Sequence, residues 1–265
     1  IISPDHIIHD PAGDFVGPEG YRQFHGMFNA AFSNINFAIE DQLAEGDLVV
    51  TRWLNTAKHD KGELMGVPHA GTETVSTGIT VARIADGKIV EEWNNWDMMG
   101  LLQQIGAMPA NREKYGWAEA SQVSGDPGDP MINKVIAIRS VEAVWNQKQI
   151  SAIDDTTSVD VTVNNPNSTT CPKNFDQFKQ SALGFITNMP DINVKIDALI
   201  AEGDKVAYLY TTSGIFLPTG NPVSYVGAQI VRMADGKIAE SWWSYDSLAM
   251  MNTMRAPEVW PLDGI

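Results

Sequence analysis

Cysteine is almost missing from this chain: Cys171 is the only one in 265 residues. That excludes an internal disulfide and a cysteine-built zinc site, and it fits a reducing, cytoplasmic setting. Positive charge is scarce as well. Eighteen Lys and Arg face 33 Asp and Glu, for a net charge of −15. So acidic a surface repels nucleic acid and anionic lipid, and neither is expected as a partner. No apolar run is long enough to cross a bilayer. A basic start followed by an apolar stretch and a small-residue cleavage site is missing too. The chain opens at Ile1 without a Met, which leaves room for a native segment ahead of it. His25, His59 and His69 have no metal-ligand spacing, and neither a Gly-rich phosphate loop nor a Ser-His-Asp order is present. No metal and no cofactor are expected.

What is there is written twice. ADGKIVEEWNNWD at residues 85–97 returns as ADGKIAESWWSYD at 234–246. Ala44-Glu45-Gly46-Asp47 returns as Ala201-Glu202-Gly203-Asp204, and His9-Asp10-Pro11 aligns with Asn164-Asn165-Pro166. The order is kept while the offset drifts, as expected of two copies of one domain whose loops differ in length. Hydrophobic residues make up 43% of the chain, enough for two cores.

Each copy reads as helix, then strands. In the first, Tyr21, Phe24, Phe28 and Phe32 recur at helical spacing over 19–32. Strands follow over 36–43, 48–57, 72–84 and 88–96, joined by Gly-Asp or Asp-Gly turns. In the second, the helix spans 176–188, ended by Met189-Pro190. Its strands cover 192–200, 205–213, 222–233 and 237–245. A short helix closes each copy, over 98–105 and 247–254. The second copy has a leading helix over 131–147 with no counterpart in the first. The expected organisation is a first domain over 1–107, a linker over 108–130, a second domain over 131–254 and a tail over 255–265. Gly, Pro, Asp and Ser crowd the linker, and Tyr115 and Trp117 are placed to pin it to a domain surface. One helical layer followed by hairpin-linked strands is α+β. A curved antiparallel sheet around helices leaves a cone-shaped hollow, mostly apolar with a few placed polar groups.

HDPAGDFVGPEGYRQFHGMFNAAFSN, AEGDLVVTRW and GELMGVPHAGTETVSTGITVARIADGKIVEEWNNWDMMGLLQQIGA together resemble the SnoaL-like polyketide cyclases, of the nuclear-transport-factor-2-like fold. The resemblance covers nearly all of 7–107 and, less closely, 131–254, where IFLPTGNP replaces a longer loop. It implies cofactor-independent ring closure by intramolecular aldol condensation, with an Asp as general acid/base. The W-x-x-x-D context carries that role to Asp97 and, through the repeat, to Asp246. Single-domain members pair as homodimers, so a tandem chain resembles a fused dimer, an intramolecular pseudo-dimer that could associate further.

Strand alternation puts Glu91, Trp93, Asn95 and Asp97 on one face. If Trp93 points inward, Asp97 lies desolvated beside indole, with its pKa raised toward neutrality. The competing reading makes Asp97 the cap of the following helix. His9 is a candidate second proton carrier or carbonyl donor, and Asn164, its repeat partner, cannot titrate. Substrate contacts are expected from Trp93, Trp242, Asn164, Thr80, Gln229 and Glu91, although a core role suits the Trp residues and solvent suits the Glu. The expected ligand is a small apolar or aromatic carbonyl compound. Epoxide hydrolysis, dehydration and a non-catalytic binding module remain alternatives on the same fold.

Overall fold

The computed structural model describes residues 1–110, 115–117, 123–168, 171–172 and 174–254. The first domain runs β1 (Ile2–Asp10), β2 (Gly13–Val16), α1 (Gly17–Ala31), β3 (Phe32–Glu45), β4 (Leu48–His59), β5 (Thr72–Ala85), β6 (Lys88–Trp96) and α2 (Met98–Gln104). Its sheet has the order β2-β1-β6-β5-β4-β3, with β1 parallel to β6 and every other pair antiparallel. The second domain runs α3 (Pro130–Val141), a π-helical turn (Glu142–Asn146), α4 (Ala152–Thr156), β7 (Thr157–Asn164) and α5 (Phe175–Asn188). It continues through β8 (Asn193–Glu202), β9 (Lys205–Phe216), β10 (Asn221–Ala234), β11 (Lys237–Tyr245) and α6 (Ser247–Met254). Its order, β7-β11-β10-β9-β8, repeats that of the first sheet without β2.

Local chemistry explains the repeated punctuation. Asp86-Gly87 and Asp235-Gly236 all have positive φ, as a two-residue type I′ hairpin requires at both central positions. Asn174 caps α5, its side chain accepting from the Gln177 N–H at 2.9 Å, and α1 starts with Pro18 in its first turn. Four points differ from the expectations. β2 and α4 were not foreseen, α1 begins two residues earlier and stops at Ala31, and the helix over 131–147 changes to π-helix at Glu142. Each new element is short, so it carries little periodicity to read.

The two sheets pack face to face. Leu43, Val50, Ile79 and Val81 of the first domain share a core with Ile200, Leu209, Ile230 and Trp242 of the second, and Trp93 packs against it. The repeated Ala-Glu pairs close this junction reciprocally. The Ala44 N–H donates to Glu202 Oε2 and the Ala201 N–H donates to Glu45 Oε2, each at 2.8 Å. Such mutual contacts are the mark of an isologous, two-fold arrangement, here inside one chain. Among the described linker residues, Trp117 donates through Nε1 to the Trp53 carbonyl at 2.9 Å. The expected tail, 255–265, lies outside the described residues.

The domains differ on the side facing away from this junction. In the second, α3 packs on β8 and β9, and Ile192 and Val194 are buried. At the equivalent positions in the first, Ile35 and Phe37 are 41% and 54% exposed.

Candidate active site

A cavity of about 480 Å³ lies between α1 and the concave face of the first sheet. Its apolar lining comes from Ile8, Phe24, Phe28, Phe32, Trp96 and Leu101. Trp53 lies across Gly78 on the neighbouring strand, where any Cβ would collide with the indole. Ile35 and Phe37 line the cavity and are exposed, so they form its mouth.

The titratable lining residues sit on β6 and α1. Glu92 and Asn94 face the cavity from β6, and Tyr21 and His25 face it from α1, one helical turn apart. Behind Glu92 stands His6, fully buried, whose Nε2–H donates to Glu92 Oε2 at 2.7 Å. Burial raises the Tyr21 phenol, with the Glu92 charge adding to the effect, and burial lowers the His25 imidazole. Tyr21 therefore remains a proton donor and His25 remains neutral near pH 7. The rings of Tyr21 and His25 are 4.2 Å apart.

A second polar line runs across the sheet. Trp53 Nε1–H donates to Thr80 Oγ1 at 3.0 Å, and the Thr80 hydroxyl donates to Asn94 Oδ1, also at 3.0 Å. Beyond Asn94 lies Asp10 at the end of β1. Asp10 accepts from Trp96 Nε1–H at 3.0 Å and from the Ala12 N–H at 2.9 Å. Burial is the larger influence and pushes its carboxyl up to about 6, against these hydrogen bonds and the nearby Asn94 amide. The charge of Asp246, from the second domain, pushes the same way as burial.

The second domain has the same walls and little space. About 100 Å³ remains among Tyr208, Tyr210, Tyr225, Tyr245, Trp145 and Trp243. By strand register Tyr225 stands where the first domain has Ser76, and Trp243 where it has Asn94. Burial raises Tyr208 and Tyr210 and pushes Tyr225 up to about 12. These phenols fill space and do not exchange protons near neutral pH.

The residues singled out from sequence fall into three places. Thr80 lines the large cavity and Gln229 the small one, where it accepts from the Tyr208 hydroxyl. Asp97 and Asp246 line neither cavity. Each caps the following helix, Asp97 accepting from the Gly100 N–H at 2.9 Å and Asp246 from the Ala249 N–H at 2.8 Å. Burial raises the Asp246 carboxyl, against hydrogen bonds from the Ala249 and Leu248 N–H groups.

The remaining residues lie on the opposite face of each sheet, toward the other domain. His9 stacks on Trp93 at 5.7 Å and approaches Glu91 at 3.3 Å, while Glu91 pairs with Arg83 at 2.5 Å. Asn164 donates to Glu240, Glu240 pairs with Arg232 at 2.9 Å, and Arg232 lies over Trp242. The expectation that Glu91, Trp93 and Asp97 share the cavity face is corrected here. Glu92, Asn94 and Trp96 face the cavity, and a one-residue change of parity moves a whole strand to its other side. Tyr21 and His25 lie on α1, where the apolar spacing reads as packing, but Glu92, His6 and Asp10 were missed for the same reason of parity. The alternation His6-Ile8-Asp10 on β1, in step with Glu92-Asn94-Trp96 on β6, is the pattern that carries them.

The model of the SnoaL-like polyketide cyclase family matches residues 1–105 and 135–254. The chain belongs to that family, as two tandem domains of the nuclear-transport-factor-2-like fold. Among curated proteins nothing matches. Solved structures similar to it include a putative SnoaL-like polyketide cyclase from Jannaschia sp. CCS1, at 17% identity and TM-score 0.45 over 53% of this chain and 99% of that one. AclR, a putative hydroxylase from Streptomyces galilaeus, is 23% identical with TM-score 0.40 over 44% of this chain and 90% of its own. IdmH, a putative polyketide cyclase from Streptomyces antibioticus, is 17% identical with TM-score 0.41 over 46% and 97%.

Proposed function

We propose that the first domain catalyses redox-neutral acid/base chemistry on a small apolar or aromatic carbonyl compound, as an aldol-type cyclisation or an isomerisation. The observation that carries this reading is the Glu92 carboxylate on the cavity wall, oriented by the fully buried His6 and faced by Tyr21 and His25. Glu92 takes a proton from the carbon next to a carbonyl, and the C–H electron pair becomes an enolate. In a cyclisation that carbon attacks a second carbonyl of the same molecule, forming a C–C bond. The new alkoxide takes a proton from Tyr21, which Glu92 re-protonates. Atoms and charge balance without a further reactant. The aromatic lining excludes water, which strengthens the electrostatic contacts to the enolate. The cavity of the second domain is filled, and that domain serves as the packing partner a homodimer would otherwise supply.

The test is proton–deuterium exchange at the α-carbon of 1-tetralone, a bicyclic aromatic ketone, followed by NMR in D₂O. Exchange above the buffer rate that is lost in Glu92→Gln supports the reading. Exchange equal to buffer, or unaffected by Glu92→Gln, overturns it.

A further inference from the structure

The outermost strand of the first sheet, β3, carries an uncovered apolar row. Ile35, Phe37 and Ile39 are 41%, 54% and 61% exposed. A contiguous apolar row on an edge strand marks an interaction surface. Its counterparts in the second domain are Ile192, Val194 and Ile196, as the matching strand registers show. There α3 supplies the cover. Ala137 and Val141 share a core with Ile192 and Val194, and Ile136, Trp145 and Ile196 pack against it. Among the described residues no helix covers the row in the first domain.

Charge repeats the asymmetry. Lys134 of α3 pairs with Glu45, at the end of β3, at 2.5 Å. Glu202, the repeat partner of Glu45, accepts the Ala44 N–H and has no cationic partner among the described residues. The two glutamates are related by the pseudo-two-fold of the junction. A helix set on β3 as α3 is set on β8 therefore brings the counterpart of Lys134 to Glu202. The net charge of −15 favours a basic partner over an acidic one.

We propose that the β3 face of the first domain docks an amphipathic helix supplied by another protein. That helix is apolar at the spacing of Ile136, Ala137, Val141 and Trp145, and it carries a lysine that pairs with Glu202. This is recognition of a helix by a groove, with anchors one turn apart. Ile35 and Phe37 form the mouth of the large cavity, so the docked helix closes it. Val141 and Trp145 stand in that relation to the small cavity. The inference does not depend on Glu92 being a base.

The test uses the full chain and a fluorescein-labelled peptide of residues 129–147. The peptide carries Ile132→Gln, Val135→Gln and Ile138→Gln, because those three residues are exposed on the outer face of α3 and take no part in docking. Fluorescence anisotropy should show saturable binding with Kd below about 100 μM, modest because a free peptide of this length must be ordered as it binds. Phe37→Asp and, independently, Ile39→Asp in the protein should each weaken it by about tenfold or more, as should Val141→Asp in the peptide, since each places a charge in an apolar contact. Lys134→Glu in the peptide should weaken binding by about threefold or more, and Glu202→Lys in the protein should restore it. Absence of saturable binding overturns the inference, and so does binding that survives both Phe37→Asp and Ile39→Asp, which would place the peptide elsewhere. Sedimentation of the full chain alone should show no self-association that Phe37→Asp removes. Self-association of that kind would assign the face to a second copy and overturn the choice of partner.

Discussion

The two domains share strand register down to their irregularities. β3 and β8 bulge at equivalent places, Ile39/Asp41 and Ile196/Ala198, and both lay an aromatic ring over a glycine, Trp53 on Gly78 and Tyr210 on Gly227. Yet one encloses about 480 Å³ and the other about 100 Å³. The difference lies in side chains and in one helix. Tyr225 for Ser76 and Trp243 for Asn94 add bulk inside the second cup, and α3 with its π-helical turn brings Val141 and Trp145 against the hollow. A backbone that specifies a cone does not specify an empty one. Fold and cavity size are thereby separable within a single chain.

The contrast is most exposed at Glu92, whose register equivalent in the second domain is Ser241. Removing the base by Glu92→Gln should lower exchange of 1-tetralone by about 10²–10⁴-fold, the usual worth of general base catalysis. Copying the second cup into the first should abolish the contrast from the other side. Ser76→Tyr places the bulk of Tyr225 in the cavity, and calorimetry with 1-tetralone should show uptake weakened by at least about tenfold, a loss of about 1.4 kcal/mol.

The shared junction should respond unequally. Trp242 is 1% exposed in the core between the sheets, so Trp242→Ala should cost about 3–5 kcal/mol in denaturant unfolding. Trp93 is its half-buried equivalent, and Trp93→Ala should cost visibly less. Equal losses would mean that the two-fold symmetry of the junction extends to its energetics.

Asp10 ties stability to pH. Folding raises its carboxyl from 3.8 to about 6, so the protonated form is the one the folded state favours. The associated stability is complete below the unfolded value and is lost as pH rises through about 6. At pH 7 the ionised group costs about 3 kcal/mol. Asp10→Asn removes the charge but disturbs one accepting hydrogen bond, worth about 1 kcal/mol. A net gain of about 1–2 kcal/mol at pH 7 is expected, disappearing below pH 4. Thermal melts at pH 4 and pH 7 read this directly.

The smallest effect is expected at Asp97, where the family resemblance and the geometry point apart. Asp97→Ala should lose about 1 kcal/mol as a helix cap, while Asp97→Asn, which retains capping ability, should leave exchange within about twofold. A loss in Asp97→Asn as large as in Glu92→Gln would move the base from β6 to the start of α2.

The amino-acid sequence by itself determined the tandem repeat, the α+β order of elements and the hairpin turns. Those features are written in local pattern: Asp-Gly where both residues need positive φ, apolar spacing on α1 and α5, and blocks repeated in order. Thr80 and Gln229 stand out in the sequence as equivalent polar residues, and each lines a cavity. Only the tertiary structure decided which side of each strand faces a cavity, because both sides are buried. One side closes on helices and the other on the second sheet, so Trp93 and Trp242 satisfy every expectation of inward residues while pointing into the junction. An alternation with a period of two gives two equivalent answers, and only the packing of one sheet on another chooses between them.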